Sequence, residues 1–130
     1  MPSPTARTLE YLRSMGCMAA VVERWNPHVK PHGARQDLFG FIDLLALNAT
    51  ETLAVQATTG GHAANRVAKL TGECADNVRR WLACPSRSLE VWGWRKLKVK
   101  RGGKAVKWEV SRTRFGLTSD GRIVSAKLNQ

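Results

Sequence analysis

Apolar and polar positions alternate along the chain in blocks whose periods differ. After Pro4-Thr5, Leu9, Leu12 and Met15 recur at helical spacing and Gly16 follows, which predicts an amphipathic helix. Met18–Trp25 (MAAVVERW) is short, β-branched and partly alternating, and it predicts a strand. Asn26–Gln36 holds two prolines and a glycine, so it reads as loop. Phe39–Leu47 (FGFIDLLAL) is nearly continuous in apolar residues, as in a strand buried on both faces. A turn at Asn48–Glu51 leads to a further strand, Thr52–Thr58 (TLAVQAT).

The second half changes period. Thr59-Gly60-Gly61 breaks the strand, and helices are expected over His62–Leu70 and roughly Cys74–Ala83. Leu89–Lys100 and Ala105–Phe115 are strand-like runs joined through Gly102-Gly103, which tolerates the positive φ of a tight hairpin. The tail, 116–130, carries a turn at Ser119–Arg122 and a short edge strand. The expected fold is α/β, a mixed central sheet flanked by helices and ending in a basic hairpin. At 130 residues the chain suits one domain, 1–130, with its core over about 5–115.

Charge changes the picture more than composition does. Lys and Arg number 21 against 10 acidic residues, a net charge of +11. Such a field attracts polyanions, and release of their counterions favours binding. Nucleic acid is therefore the expected partner, with the charge serving DNA and RNA alike. A membrane partner is not expected, because no amphipathic basic helix or lipidation signal is visible and the longest apolar run contains Asp43. The opening Met1-Pro2-Ser3-Pro4 lacks a signal pattern, so a cytoplasmic location is expected. Cys17, Cys74, Cys84 and the three histidines have no zinc-type spacing.

Two polar residues interrupt apolar strands. Asp43 sits inside FGFI-LLAL, where a charge is costly without a partner or a metal. Gln56 and Thr58 share one face of the following strand, and 13 positions separate Gln56 from Asp43, enough for a hairpin that sets them together. Carboxylate, amide oxygen and the Ala57 carbonyl are hard donors suited to Mg²⁺ or Mn²⁺. The structural alternatives are an aspartate that caps a neighbouring turn and a polar ladder inside the sheet.

Ile42-Asp43 followed by Gln56-Ala57-Thr58 resembles the signature of the PD-(D/E)XK, or restriction-endonuclease-like, nucleases. In that superfamily an Asp and a (Glu/Gln)-x-Lys lie on adjacent strands. The preceding helix, the glycine break and helix that follow, and Trp81-Leu82 with Leu89–Lys96 are similar to small phage and bacterial members, including relatives of Holliday-junction resolvases. The likeness covers roughly Thr5 to Phe115. It implies a metal-dependent nuclease of one core fold, with Asp43, Gln56, the Ala57 carbonyl and a helix glutamate, Glu10, as metal ligands. Three positions depart from the pattern: Ile42 replaces proline, Gln56 a carboxylate, and Thr58 the lysine that steadies charge on the phosphate. Arg35, Lys69 or His62 are the candidates to replace that lysine.

Basic residues crowd the C-terminal hairpin. Arg95, Lys96, Lys98, Lys100, Arg101 and Lys104, with Arg35, are expected to grip phosphates, and Lys107, Arg112 and Arg114 extend the series. The tryptophans among them read as sheet packing. Cutting both strands of a duplex would call for two sites, hence a homodimer. The alternative function is a non-catalytic DNA-binding module, either a decayed nuclease or a helix-turn-helix built from Val67–Gly72 and Val78–Trp81.

Overall fold

The computed structural model describes residues 2–128; Met1 and the tail's last two residues, Asn129 and Gln130, lie outside them. A six-stranded mixed sheet runs through the molecule, with helices on both faces. Helix α1 spans Pro4–Ser14, capped by Ser3, whose hydroxyl accepts from the Ala6 amide at 3.1 Å. Strands β1 (Met18–Val21), β4 (Leu44–Leu47) and β5 (Thr52–Thr59) form an antiparallel meander. The chain then crosses through a short 3₁₀ turn, α2 (Ala63–Thr71) and α3 (Ala75–Leu82) to β6 (Arg87–Lys98), which is parallel to β5. Strands β7 (Val106–Leu117) and β8 (Ile123–Lys127) complete the sheet in the order β1-β4-β5-β6-β7-β8.

Alternation along the strands sorts the core into two layers. Leu44, Ala46, Leu53, Val55, Trp92, Trp94 and Val110 pack against Leu12 of α1. Ala54, Leu89, Val91 and Phe115 face Leu70 and Val78 from α2 and α3. Val78 and Trp81 are therefore packing residues, as a helix-turn-helix pattern requires, but they pack on the sheet rather than on a third helix. No helix among the described residues is long and apolar enough to cross a membrane.

Two expected strands differ from those observed, and both differences shape the cleft. Met18–Trp25 divides: β1 ends at Val21, and β2 (Arg24–Asn26) leaves the sheet to pair with β3 (Ala34–Gln36) inside the expected loop. The division arises because the Val22 and Glu23 amides both donate to the Asp43 carbonyl, at 2.8 and 3.2 Å. Two residues opposed to one is the pairing of a β-bulge, which bends the strand and redirects side chains. The small ribbon closes through Gly33 at φ 82°, where an added Cβ would lie 2.5 Å from the Trp25 ring.

Phe39–Leu47 is likewise strand only over Leu44–Leu47. Leu38 and Ile42 pair across a tight reversal in which Phe39 (φ 55°) and Gly40 (φ 85°) both take left-handed backbone. Glycine adopts that region freely, whereas phenylalanine there stores about 1–3 kcal/mol of strain. The reversal is held from outside: Asn77 donates to the Phe39 carbonyl at 3.1 Å, and the Cys74 thiol to that of Gly40 at 3.5 Å. The apolar run thus reflects Phe41 and Ile42 buried beneath the helices, not a longer strand.

Candidate metal centre

Asp43 stands immediately before β4, and the β4–β5 register that pairs Leu44 with Val55 puts it opposite Gln56. Its amide donates to the Val55 carbonyl at 3.0 Å, while its Oδ2 accepts from the Ala57 amide at 3.0 Å. The expected convergence of Asp43, Gln56 and Ala57 is therefore present. Residues that exchange backbone hydrogen bonds turn amide and carbonyl to the same edge, so the Ala57 carbonyl also faces the β4 side.

Two further carboxylates complete the centre. The bulge after β1 turns Glu23 inward, and the reversal before Ile42 does the same for Asp37. Ligand oxygens of Glu23, Asp37 and Asp43 lie within 4.8 Å of one another. Gln56, fully buried, donates Nε2 to Asp37 Oδ2 at 3.1 Å and leaves Oε1 with no hydrogen-bond partner among the described residues. An unpartnered buried amide oxygen is costly, and a half-turn of the amide exchanges its two atoms. Burial and the adjacent Asp37 push the Asp43 carboxyl up to about 8, with Glu23 adding to the rise and the Ala57 amide opposing it. Crowded carboxylates, a spare amide oxygen and a nearby carbonyl form a hard oxygen set that fits Mg²⁺ or Mn²⁺.

The centre opens on a cleft of about 680 Å³ bordered by Arg35, Arg66 and Lys69. Arg35 pairs with Glu23 at 3.1 Å, and the Lys69 ammonium from α2 lies 3.9 Å from Asp37 Oδ2. Thr58 is buried on β5 and lies outside the cleft lining. Of the candidate substitutes for the strand lysine, Lys69 and Arg35 reach the cleft and His62 does not.

Glu10 is a correction: it does not join the carboxylates. It lines a separate depression with Tyr11, Trp94 and Trp108. Thr5 of the same helix borders the cleft, and five residues of α-helix turn a side chain by about 140° away from it. Glu23, Asp37 and Arg66 were not anticipated. The signal for Glu23 was available, since it interrupts MAAVVERW as Asp43 interrupts its own run.

Arg95, Lys96, Lys98, Lys100, Arg101 and Lys104 are all exposed, along distal β6 and its turn to β7. Arg112 and Arg114 differ from the rest of the basic series. They turn onto fully buried Glu90, at 2.8 and 2.7 Å, and Arg114 also reaches Glu51 at 2.5 Å. Their register opposite Trp92 and Glu90 puts them on the α1 face of the sheet, where carboxylates engage their guanidinium groups. No protein-family model matches the chain, and neither a curated protein nor a solved structure was found to match it.

Proposed function

We propose that the protein is a metal-dependent nuclease that cuts DNA phosphodiester bonds on a restriction-endonuclease-like core. The observation that carries this reading is the convergence of Asp43 and Gln56 from neighbouring antiparallel strands with Asp37 and Glu23 at a cation-bordered cleft. The order of helix, three-stranded meander, helical crossover and parallel strand supports it, since it carries the two motif strands side by side.

Asp43, Asp37 and Glu23, with the Gln56 amide oxygen and the Ala57 carbonyl, would hold Mg²⁺ or Mn²⁺. When bound, such an ion supplies a water made nucleophilic at neutral pH and neutralises charge on the phosphate. The chain's own residues do the rest. Arg35 and Arg66 draw the phosphodiester into the cleft, and the exposed hairpin cations hold the backbone on either side. Lys69 takes the part of the strand lysine: its ammonium enters the same cleft from α2 and faces the charge that develops on the phosphate. The Ala57 amide fixes the orientation of the Asp43 carboxylate.

The test is nicking of supercoiled plasmid with Mg²⁺ or Mn²⁺, with EDTA and Asp43→Ala as controls. Nicking that requires both the ion and Asp43 is expected. Plasmid binding without nicking under any divalent ion would make the protein a DNA-binding module instead.

A further inference from the structure

A depression of about 320 Å³ lies on the α3 side, lined by Phe39, whose neighbour Gly40 borders the metal cleft. Phe39 and Trp81 contribute its two aromatic rings, and Arg80, Arg87 and Asn77 complete it; no acidic residue lines it. Phe39 is 59% exposed although it is one of three phenylalanines in the chain and sits in left-handed backbone. Neither packing nor backbone preference accounts for a phenylalanine there. Its carbonyl is pinned by Asn77, which fixes the backbone that carries the ring. Trp81 is fixed as well: its Nε1 donates to the Ser88 carbonyl at 2.8 Å, and the Arg87 guanidinium lies 5.5 Å from its ring. Arg87 in turn donates to the carbonyls of Trp81 and Arg80, and the Arg80 side chain stands exposed at the rim.

We propose that this depression binds one unpaired nucleobase of a DNA strand whose adjoining phosphodiester enters the metal centre. The inference rests on the nuclease reading and deepens it by naming the substrate class, DNA with unpaired bases at a branch, gap or end. Two aromatic rings with arginine at the rim select a flat π-system attached to a polyanion, the combination that single-strand sites use. Position agrees with this. Phe39 follows Asp37 by two residues, so their Cα atoms are at most about 7 Å apart, roughly one nucleotide step. A base lying on Phe39 would bring its own phosphate toward the carboxylates.

The experiment measures binding with EDTA present, so that no strand is cut. Three labelled DNAs are compared: a fully paired duplex, the same duplex with a three-nucleotide gap, and the gapped form with abasic sites opposite the gap. The gapped DNA should bind about tenfold more tightly than the other two, the size of one base–aromatic stack. Phe39→Gly should erase that preference while melting no lower than wild type, because glycine relieves the left-handed backbone. A 2-aminopurine opposite the gap should be quenched by wild type and not by Phe39→Gly. Equal affinity for all three DNAs, or a preference that survives Phe39→Gly, overturns the base site and leaves the nuclease reading standing. Failure to bind any DNA overturns both. A dimer that Phe39→Gly dissociates would show that a second copy of the chain fills the depression, which also overturns the proposal.

Discussion

Gln56 donates its side-chain amide to Asp37 at 3.1 Å from a position with no solvent exposure, and its own oxygen has no partner among the described residues. A purely structural glutamine would be expected to satisfy both atoms. Gln56→Glu adds a charge to an oxygen set built for a cation and should tighten Mn²⁺ binding. Gln56→Ala should weaken it, and Asp43→Ala should abolish both high-affinity Mn²⁺ binding and cleavage. Calorimetric titration with Mn²⁺ reads all three. A Gln56→Glu variant that binds Mn²⁺ no better than Gln56→Ala would remove the amide from the ligand set.

The Asp43 carboxyl supplies a pH dependence of known sign. Its value in the folded, metal-free protein is raised to about 8, so the protonated form is favoured by folding. The stability this contributes is complete below the ordinary carboxylate range and is lost as pH rises through 8. Asp43→Asn does not titrate but can still accept from the Ala57 amide. In EDTA, wild type should therefore lose ground to Asp43→Asn by on the order of 1 kcal/mol per pH unit between pH 5 and 8. Mn²⁺ must displace that proton, so its affinity should climb over the same interval. Parallel stability curves for the two proteins would show that Asp43 is already ionised.

Lys69 and Thr58 are separated by the structure, and their substitutions should part accordingly. Lys69→Met should lower cleavage by 10²-fold or more, in line with loss of one group that stabilises transition-state charge, while Mn²⁺ affinity changes little. Thr58→Lys should not raise activity. Thr58 is 6% exposed, and a lysine buried there without a partner should destabilise the fold by several kcal/mol. Urea melts together with plasmid nicking distinguish the two. A Thr58→Lys protein with raised activity would mean that β5 turns this position into the cleft.

The large features of the fold were legible because they are written in local periods. The α1 stripe of Leu9 and Leu12, the alternation through β5 and the Gly102-Gly103 hairpin predicted elements that the structure contains. The mixed sheet with helices on both faces follows from their order. Less legible were elements decided by contacts distant in sequence. Val22 and Glu23 end β1 because two amides share the Asp43 carbonyl, a partner about twenty positions on. Phe39 and Gly40 reverse the chain because α3 holds their carbonyls. The same two events bring Glu23 and Asp37 to Asp43, which is why sequence spacing pointed to the Asp43–Gln56 pair but not to the full acidic group. Glu10 failed for a local reason: the rotation of α1 carries it away from the side that Thr5 shows to the cleft.

The exposed cations of the β6–β7 hairpin should account for the salt dependence of DNA binding. Each neutralised duplex phosphate contributes about 0.9 to the slope of log affinity against log salt. Replacing Lys98, Lys100, Arg101 and Lys104 together with Ala should flatten that slope by roughly 2–4 if most of them meet phosphates. The melting temperature should hold, since all four side chains are exposed. An unchanged slope would shift the binding face to the cleft and α3.

Arg112 and Arg114 should behave in the opposite way, altering stability and leaving the salt slope nearly intact. Glu90 is fully buried and depends on them: Oε1 accepts from Arg112 Nε at 2.8 Å and Trp92 Nε1 at 2.9 Å, and Oε2 from Arg114 Nη1 at 2.7 Å. The Arg112 guanidinium also lies 4.7 Å over the Trp92 ring, so charge and packing are joined in one cluster. Removing the cations strands a buried anion, whereas removing the anion with them leaves only the Trp92 Nε1–H without its acceptor and the partly exposed Glu51 with Ser88 alone. Arg112→Met with Arg114→Met should therefore cost about 3–5 kcal/mol in urea denaturation. Adding Glu90→Leu to that pair should restore part of the loss, although the triple variant lacks every ion pair of the cluster, the Arg114–Glu51 pair included. Glu90→Gln alone should cost less than the double substitution, because both arginines keep partial access to water at 20% and 35% exposure. Equal stability of the double and triple variants would mean that Glu90 does not depend on the arginines, and that the arginines owe their placement to the tryptophan.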